Sequence, residues 1–129
     1  MFKQGPIPAF AHGLIEYLAA ALFIAAPFLF GFDDDTATAV SIVVGVLILV
    51  VTASTALPTG LIKSIPVQAH AVIDFAMAAV LIAAPFLFGF SDDGTATAFF
   101  IVLGVLHLLL TIATRFVTEE RPRRRRQAR

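Results

Sequence analysis

The 129 residues contain no cysteine and no tryptophan. Without thiols there is no disulfide framework, no thiolate metal site and no thiol redox chemistry, and cysteine usage is silent about the compartment. Charge is scarce as well: 14% of the residues are Asp, Glu, Lys or Arg, against about 25% in an ordinary soluble domain. Nucleophile constellations, a phosphate-binding loop and a dinucleotide fingerprint are missing too. No catalytic residue and no enzymatic activity are expected.

Apolar side chains fill the space instead. They make up 59% of the chain, and the mean hydropathy is +0.93. A soluble globule of this size could not hide that much apolar surface, because small domains keep a large share of their surface wet. Lipid is the solvent this composition asks for. The first apolar run is too long for a signal-peptide core and lacks a small-residue cleavage site, so it is read as a retained span.

The chain repeats itself. Ile7-Pro8, Ala11-His12, Ile15-Glu16 and the run from Ala25 to Phe32 recur 58 residues later as Ile65-Pro66, Ala69-His70, Ile73-Asp74 and the run from Ala83 to Phe90. An extra residue, placed at Gly94, lengthens the shift to 59; Gly45 then matches Gly104. Each copy holds two apolar stretches that meet the about 20 residues a bilayer core requires. Spans are expected near 9–32, 37–57, 67–90 and 96–116. The fold expected is an all-α polytopic membrane domain over 1–129, with two tandem parallel hairpin repeats (about 7–57 and 65–116) and a basic tail over 117–129.

Pro8 and Pro66 suit the first turns of their helices, and Gly31 and Gly89 suit the ends. Asp33-Asp34-Asp35 and Ser91-Asp92-Asp93 lead into the following helices, where negative charge favours the helix dipole. Loose calcium binding by these turns is conceivable, but capping explains them. Lys3, Lys63, Arg115 and the tail fall on one side of this arrangement, and the acidic turns contain no Lys or Arg. The positive-inside rule puts both termini in the cytoplasm. The tail carries Arg121, Arg123, Arg124, Arg125, Arg126 and Arg129 against Glu119 and Glu120, a net of +4. It anchors topology and offers a surface to anionic lipid; no nucleic-acid partner is expected.

The paired Pro-Phe-Leu-Phe-Gly-Phe segments (Pro27, Phe28 and Gly31; Pro85, Phe86 and Gly89) resemble the SPW-repeat family of small prokaryotic membrane proteins. The likeness covers the chain apart from its tail. The signature Ser-Pro-Trp reads Ala26-Pro27-Phe28 and Ala84-Pro85-Phe86 here. The resemblance implies a location in the bacterial inner membrane and supplies no activity or catalytic residues to carry over. Pro27 and Pro85 should kink or end their helices, and the phenylalanines read as a belt at the outer interface.

Ionisable side chains inside spans are costly and informative. His12 and Glu16 lie four apart on one helical face, as do His70 and Asp74. Ala19, Phe23 and Pro27 extend the first face; Met77, Leu81 and Pro85 extend the second. The second span shows Ser41, Gly45, Ile48, Thr52 and Thr55, and the fourth Gly104, His107, Thr111 and Thr114, spacings that suit helix contact in lipid. His107 stands where the first copy has Ile48. Glu16, Asp74 and His107 fall at similar depths, roughly 12 Å from the cytoplasmic ends.

Three functions follow from this pattern. The first is a structural or accessory membrane component, self-associating or docked on a larger complex, in which the polar groups fix helix register. The second is a proton- or cation-linked transport element using Glu16, Asp74 and His107. The third is a metal- or haem-binding redox protein: His12, His70, Glu16 and Asp74 are acceptable ligand types for zinc or iron. His-x-x-x-Glu lacks the His-Glu-x-x-His pattern, and the face around His12 and His70 offers no ring-sized gap for haem. No metal or other cofactor is expected.

Overall fold

A computed structural model describes residues 5–116; Lys3 and the arginine tail lie outside the described residues. Four helices dominate: α1 (Ala9–Leu29), α2 (Asp35–Ala53), α3 (Val67–Leu87) and α4 (Gly94–Ala113). Each has 19–21 residues and is apolar enough to cross a membrane. At about 1.5 Å per residue each spans about 30 Å, the thickness of the hydrocarbon core.

Helix ends follow from local chemistry. Pro27 and Pro85 sit inside the last turns of α1 and α3, and both helices stop two residues later. Gly31 and Gly89 have φ of 66° and 73°, left-handed values that glycine takes without steric cost. The N–H groups of Phe32 and Phe90 return to the carbonyls of Pro27 and Pro85 at 3.0 and 2.9 Å. This is the Schellman closure that satisfies late carbonyls. The spans therefore end about three residues before the expected 32 and 90. Pro8 and Pro66 are N-caps with extended backbone, one position ahead of the first turn.

The other two helices begin on aspartates. Asp34 accepts from the Ala37 N–H at 3.0 Å and Asp93 from the Ala96 N–H at 3.1 Å, so both helices start earlier than the expected 37 and 96. These caps align Gly94 with Asp35, and the extra residue of the second copy lies in the turn before the cap, not at Gly94. Asp93 also accepts from the N–H groups of Asp33 and Asp34, at 2.9 and 3.1 Å, and so joins the two turns. Partial burial pushes its carboxyl up, but the N–H groups of Ala96, Asp34, Asp33 and Thr95 outweigh that and hold it below the ordinary carboxylate value.

The opposite end holds contacts that composition does not suggest. Strand β1 (Ile7–Pro8) pairs in parallel with β2 (Thr114–Arg115), and Thr55 bridges Ile65 in the same sense. In both, the residue before one hairpin meets the residue after the other. These two contacts, both at this end of the bundle, are equivalent under the repeat and exchange one hairpin for the other in a twofold-like relation. Residues 54–57 and 114–116 are therefore loop or strand, and α2 and α4 stop at Ala53 and Ala113.

Backbone packing is close within each hairpin and sparse between them. The apolar core gathers Ala20, Phe23, Ala26, Val44, Leu81, Phe99 and Phe100 from all four helices and Phe90 from the turn after α3. Phe23 meets Phe99 and Phe100 edge-on, with centroids 5.0 and 5.7 Å apart. Phe28, Phe30, Phe86 and Phe88 are exposed, whereas Phe90 is buried and Phe32 packs on the core. The aromatic run therefore divides between a lipid-facing belt and the core.

Candidate functional site

The expected inward stripes are buried: Ser41, Gly45, Ile48, Thr52 and Thr55 on one side, and Gly104, His107, Thr111 and Thr114 on the other. Along α1 and α3 the buried face turns slightly from expectation, through Ala20, Phe23 and Ala26, and through Ala78, Leu81 and Ala84. Ala19 and Met77 are only partly buried. The small residues let the helices approach. A Cβ at Gly45 would stand 2.7 Å from the Ala20 carbonyl oxygen.

All five expected ionisable residues meet in one buried cluster. His12 and His70 are 0% exposed, Glu16 1% and Asp74 4%. His12 Nε2 lies 2.9 Å from Glu16 Oε1 and 2.9 Å from Asp74 Oδ2. His70 Nε2 lies 2.9 Å from Glu16 Oε2 and 3.1 Å from Asp74 Oδ2. Each imidazole thus touches both carboxylates, one from each repeat. His107 Nε2 stands 3.5 Å from the other Asp74 oxygen.

Threonines decide which nitrogen of each ring carries its proton. Thr114 Oγ1 donates to the Leu110 carbonyl at 2.6 Å and also lies 2.7 Å from His12 Nδ1. Thr55 Oγ1 donates to the Val51 carbonyl at 2.6 Å and lies 2.7 Å from His70 Nδ1. A hydroxyl has one proton to give, so each threonine accepts from its histidine and Nδ1 carries the hydrogen in both rings. Each Nε2 then turns toward the carboxylates. Both bonds cross repeats: the histidine of one copy is held by the threonine that ends the other.

The twofold relation fails at the carboxylates. Thr52 donates to Glu16 Oε2 at 2.7 Å, but its counterpart Thr111 donates to the His107 carbonyl at 2.8 Å. Asp74 is one methylene shorter than Glu16, and the His107 ring takes up the neighbouring space that Ile48 occupies in the first copy. Glu16, Thr52, Asp74, Met77 and His107 line a cavity of about 10 Å³, close to the smallest that holds a water. Nothing there approaches the size of a haem.

Phe116 seals the strand end of the cluster, its ring 4.9 Å from that of His12 and 6.3 Å from that of His70. Sequence reasoning missed this cap, since one aromatic at the end of an expected span carries no periodic signal. It likewise gave no sign that Tyr17 donates to the Thr59 carbonyl at 2.8 Å, tying α1 to the central loop. Pro27, Phe28, Gly31, Pro85, Phe86 and Gly89 are not brought to the cluster; they end helices at the opposite end of the bundle.

Toward the acidic turns the interior is apolar. Ser41 is an exception, and its hydroxyl donates to the Phe23 carbonyl at 2.6 Å. Among known proteins, the family model described as the SPW repeat domain matches residues 10–114. No curated protein and no solved structure matches the chain.

Proposed function

The chain belongs to the SPW repeat family, and from the network joining its two hairpins we propose a non-enzymatic structural or accessory role in the membrane. The His/carboxylate cluster works as a clamp in this reading. The supporting observation is that each histidine is held by a threonine of the opposite repeat while backbone packing between hairpins is sparse. In lipid such bonds average about 0.6 kcal/mol and reach about 1.7, so a network of several adds a few kcal/mol to the aromatic contacts that join the hairpins. The clamped unit presents an apolar exterior to lipid, to further copies of itself or to a larger membrane complex.

The protein lies in a bacterial inner membrane in this reading, with both termini in the cytoplasm. Lys63 and Arg115 are exposed at the strand end, the acidic turns lie at the other, and positive charge stays on the cytoplasmic side. The arginine tail then reaches anionic lipid, at about 1 kcal/mol per basic residue near the surface.

A transport reading has the buried ionisable cluster in its favour. Against it stands the outer half of the interior, lined by Phe23, Val44, Leu81, Phe90 and Phe100, with no relay among the described residues past Ser41. Two measurements separate the readings. Glu16→Gln and Asp74→Asn should each lower resistance to unfolding in mixed micelles, while proteoliposome proton and cation flux stays at the level of empty vesicles. Flux in the wild type that Glu16→Gln abolishes, with unfolding unchanged, would overturn the structural role.

A further inference from the structure

We propose that the His12, Glu16, His70 and Asp74 cluster is a four-coordinate site for one divalent transition-metal ion, zinc by its ligand set. The proposal deepens the clamp reading and rests on it, since the ion would join two ligands from each repeat.

Geometry carries it first. One ligand atom from each of the four residues can be chosen so that all lie within 4.8 Å of one another. With bonds of about 2.1 Å, a tetrahedral zinc site has ligand atoms about 3.4 Å apart. With one oxygen taken from each carboxylate, three of the observed 2.9–3.1 Å N···O separations belong to a single ligand set, and these need to open by only a few tenths of an ångström.

A second observation is independent of the spacing. His70 Nε2 is buried and makes no hydrogen bond, although carboxylate oxygens stand 2.9 and 3.1 Å away. Those oxygens lie off the axis of the ring nitrogen. With Nδ1 carrying the hydrogen, Nε2 has a lone pair, buried beside both carboxylates and met by no proton donor among the described residues. A metal ion is the partner such a nitrogen takes.

The surroundings complete the case. Metal-bound histidines donate their remaining N–H to a fixed acceptor, and ligand carboxylates are themselves held by neighbours. Here Thr114 holds His12, Thr55 holds His70, Thr52 holds Glu16, and His107 stands beside Asp74. Two neutral imidazoles and two carboxylates sum to −2, which a divalent ion cancels. A low-dielectric interior demands that balance. Two protons shared between the rings and carboxylates would cancel the charge equally well, and they are the alternative occupant. Four protein ligands would fill a tetrahedral site, and Phe116 lies over the histidines, the character of a structural site.

The test uses the full chain, expressed in zinc-supplemented medium and purified in mild detergent without chelator. Elemental analysis should find about one zinc per chain, and growth on cobalt should give the visible absorption of four-coordinate cobalt(II). Glu16→Gln should lose the metal. Thr114→Val, which leaves all four ligands in place and keeps the fold, should weaken retention against a competing chelator by about 10–100-fold. A folded, metal-free wild type from both media would overturn the site; if Glu16→Gln still lowered its stability, the clamp would stand with two protons at its centre. Zinc bound equally by wild type and Glu16→Gln would place the ion elsewhere and overturn the assignment. A metal-loaded chain whose stability ignored both metal removal and Glu16→Gln would keep the site and end the clamp reading.

Discussion

Gly45 and Gly104 are equivalent in the two repeats, yet alanine should act unequally on them. At Gly45 an added Cβ would lie 2.7 Å from the Ala20 carbonyl oxygen, 2.7 Å from Ile24 Cγ1 and 3.0 Å from the Ile24 nitrogen. Two of these are backbone atoms of α1 and cannot turn aside. Carbon contacts relax near 3.5–4.0 Å, so α1 and α2 must part by several tenths of an ångström. At Gly104 the nearest atom is Ile82 Cγ1, at 2.8 Å, which can rotate away, and the Ile82 nitrogen and Leu81 Cβ follow at 3.1 Å, so no backbone atom stands as close as the Ala20 oxygen does to Gly45. Alanine in a helix interior gains about 1 kcal/mol over glycine, and overpacking costs about 1–3 kcal/mol. The upper part of that cost, where backbone atoms stand in the way, leaves a loss of about 1–2 kcal/mol for Gly45→Ala, and its lower end leaves a change near zero for Gly104→Ala. Unfolding in mixed micelles, followed by circular dichroism, measures both. If Gly45→Ala is neutral or stabilising, or if Gly104→Ala costs more, the backbone approach described for the first hairpin is wrong.

Thr55→Val and Thr114→Val remove equivalent bonds to the two histidines, so each should cost about 0.6–1.7 kcal/mol; a difference between them beyond that range would count against the twofold relation. Asp93→Ala should cost about 1 kcal/mol as a lost N-cap. Because folding depresses this carboxyl, its contribution is present above the unfolded value of about 3.9 and fades as pH falls through the folded one. Asp93→Asn should flatten the acid loss below about pH 5, and a wild-type profile with no acid loss would refute the link between turns. Cysteines introduced at Asp34 and Asp92 should react with impermeant reagents from outside, and one at Lys63 only after the membrane is opened; external labelling at 63 would invert the proposed orientation.

Much of this architecture was legible in the sequence because lipid makes the pattern strict. A helix must satisfy its own backbone across the core, so apolar length alone located four spans, and the His-x-x-x-Glu and His-x-x-x-Asp spacings put both pairs on inward faces. Span ends were less legible. They depend on a proline one turn from a left-handed glycine and on which of several aspartates becomes the cap, choices made by backbone geometry that hydropathy does not register. The threonine stripe was read as packing surface; its bonds to the histidines of the opposite repeat depend on how the hairpins are placed against each other. Phe116 and the pairing of β1 with β2 were illegible for the same reason, since two-residue strands and a single aromatic have no period.

The exchanged strand pairs have a consequence for how such a molecule arose and how it can be cut. Ile7 lies against Thr114 as Ile65 lies against Thr55, so the ring of contacts closes whichever hairpin is translated first. A circular permutant that opens near Thr59 and joins residue 116 to residue 5 through a short linker should reach the same architecture. Two separate copies of one hairpin could close the same ring as a homodimer, and such a dimer would carry identical residues at the positions of Ile48 and His107. Covalent fusion lifts that restriction: once the halves share a chain, one can acquire a histidine and a shorter acid while the other keeps isoleucine and glutamate.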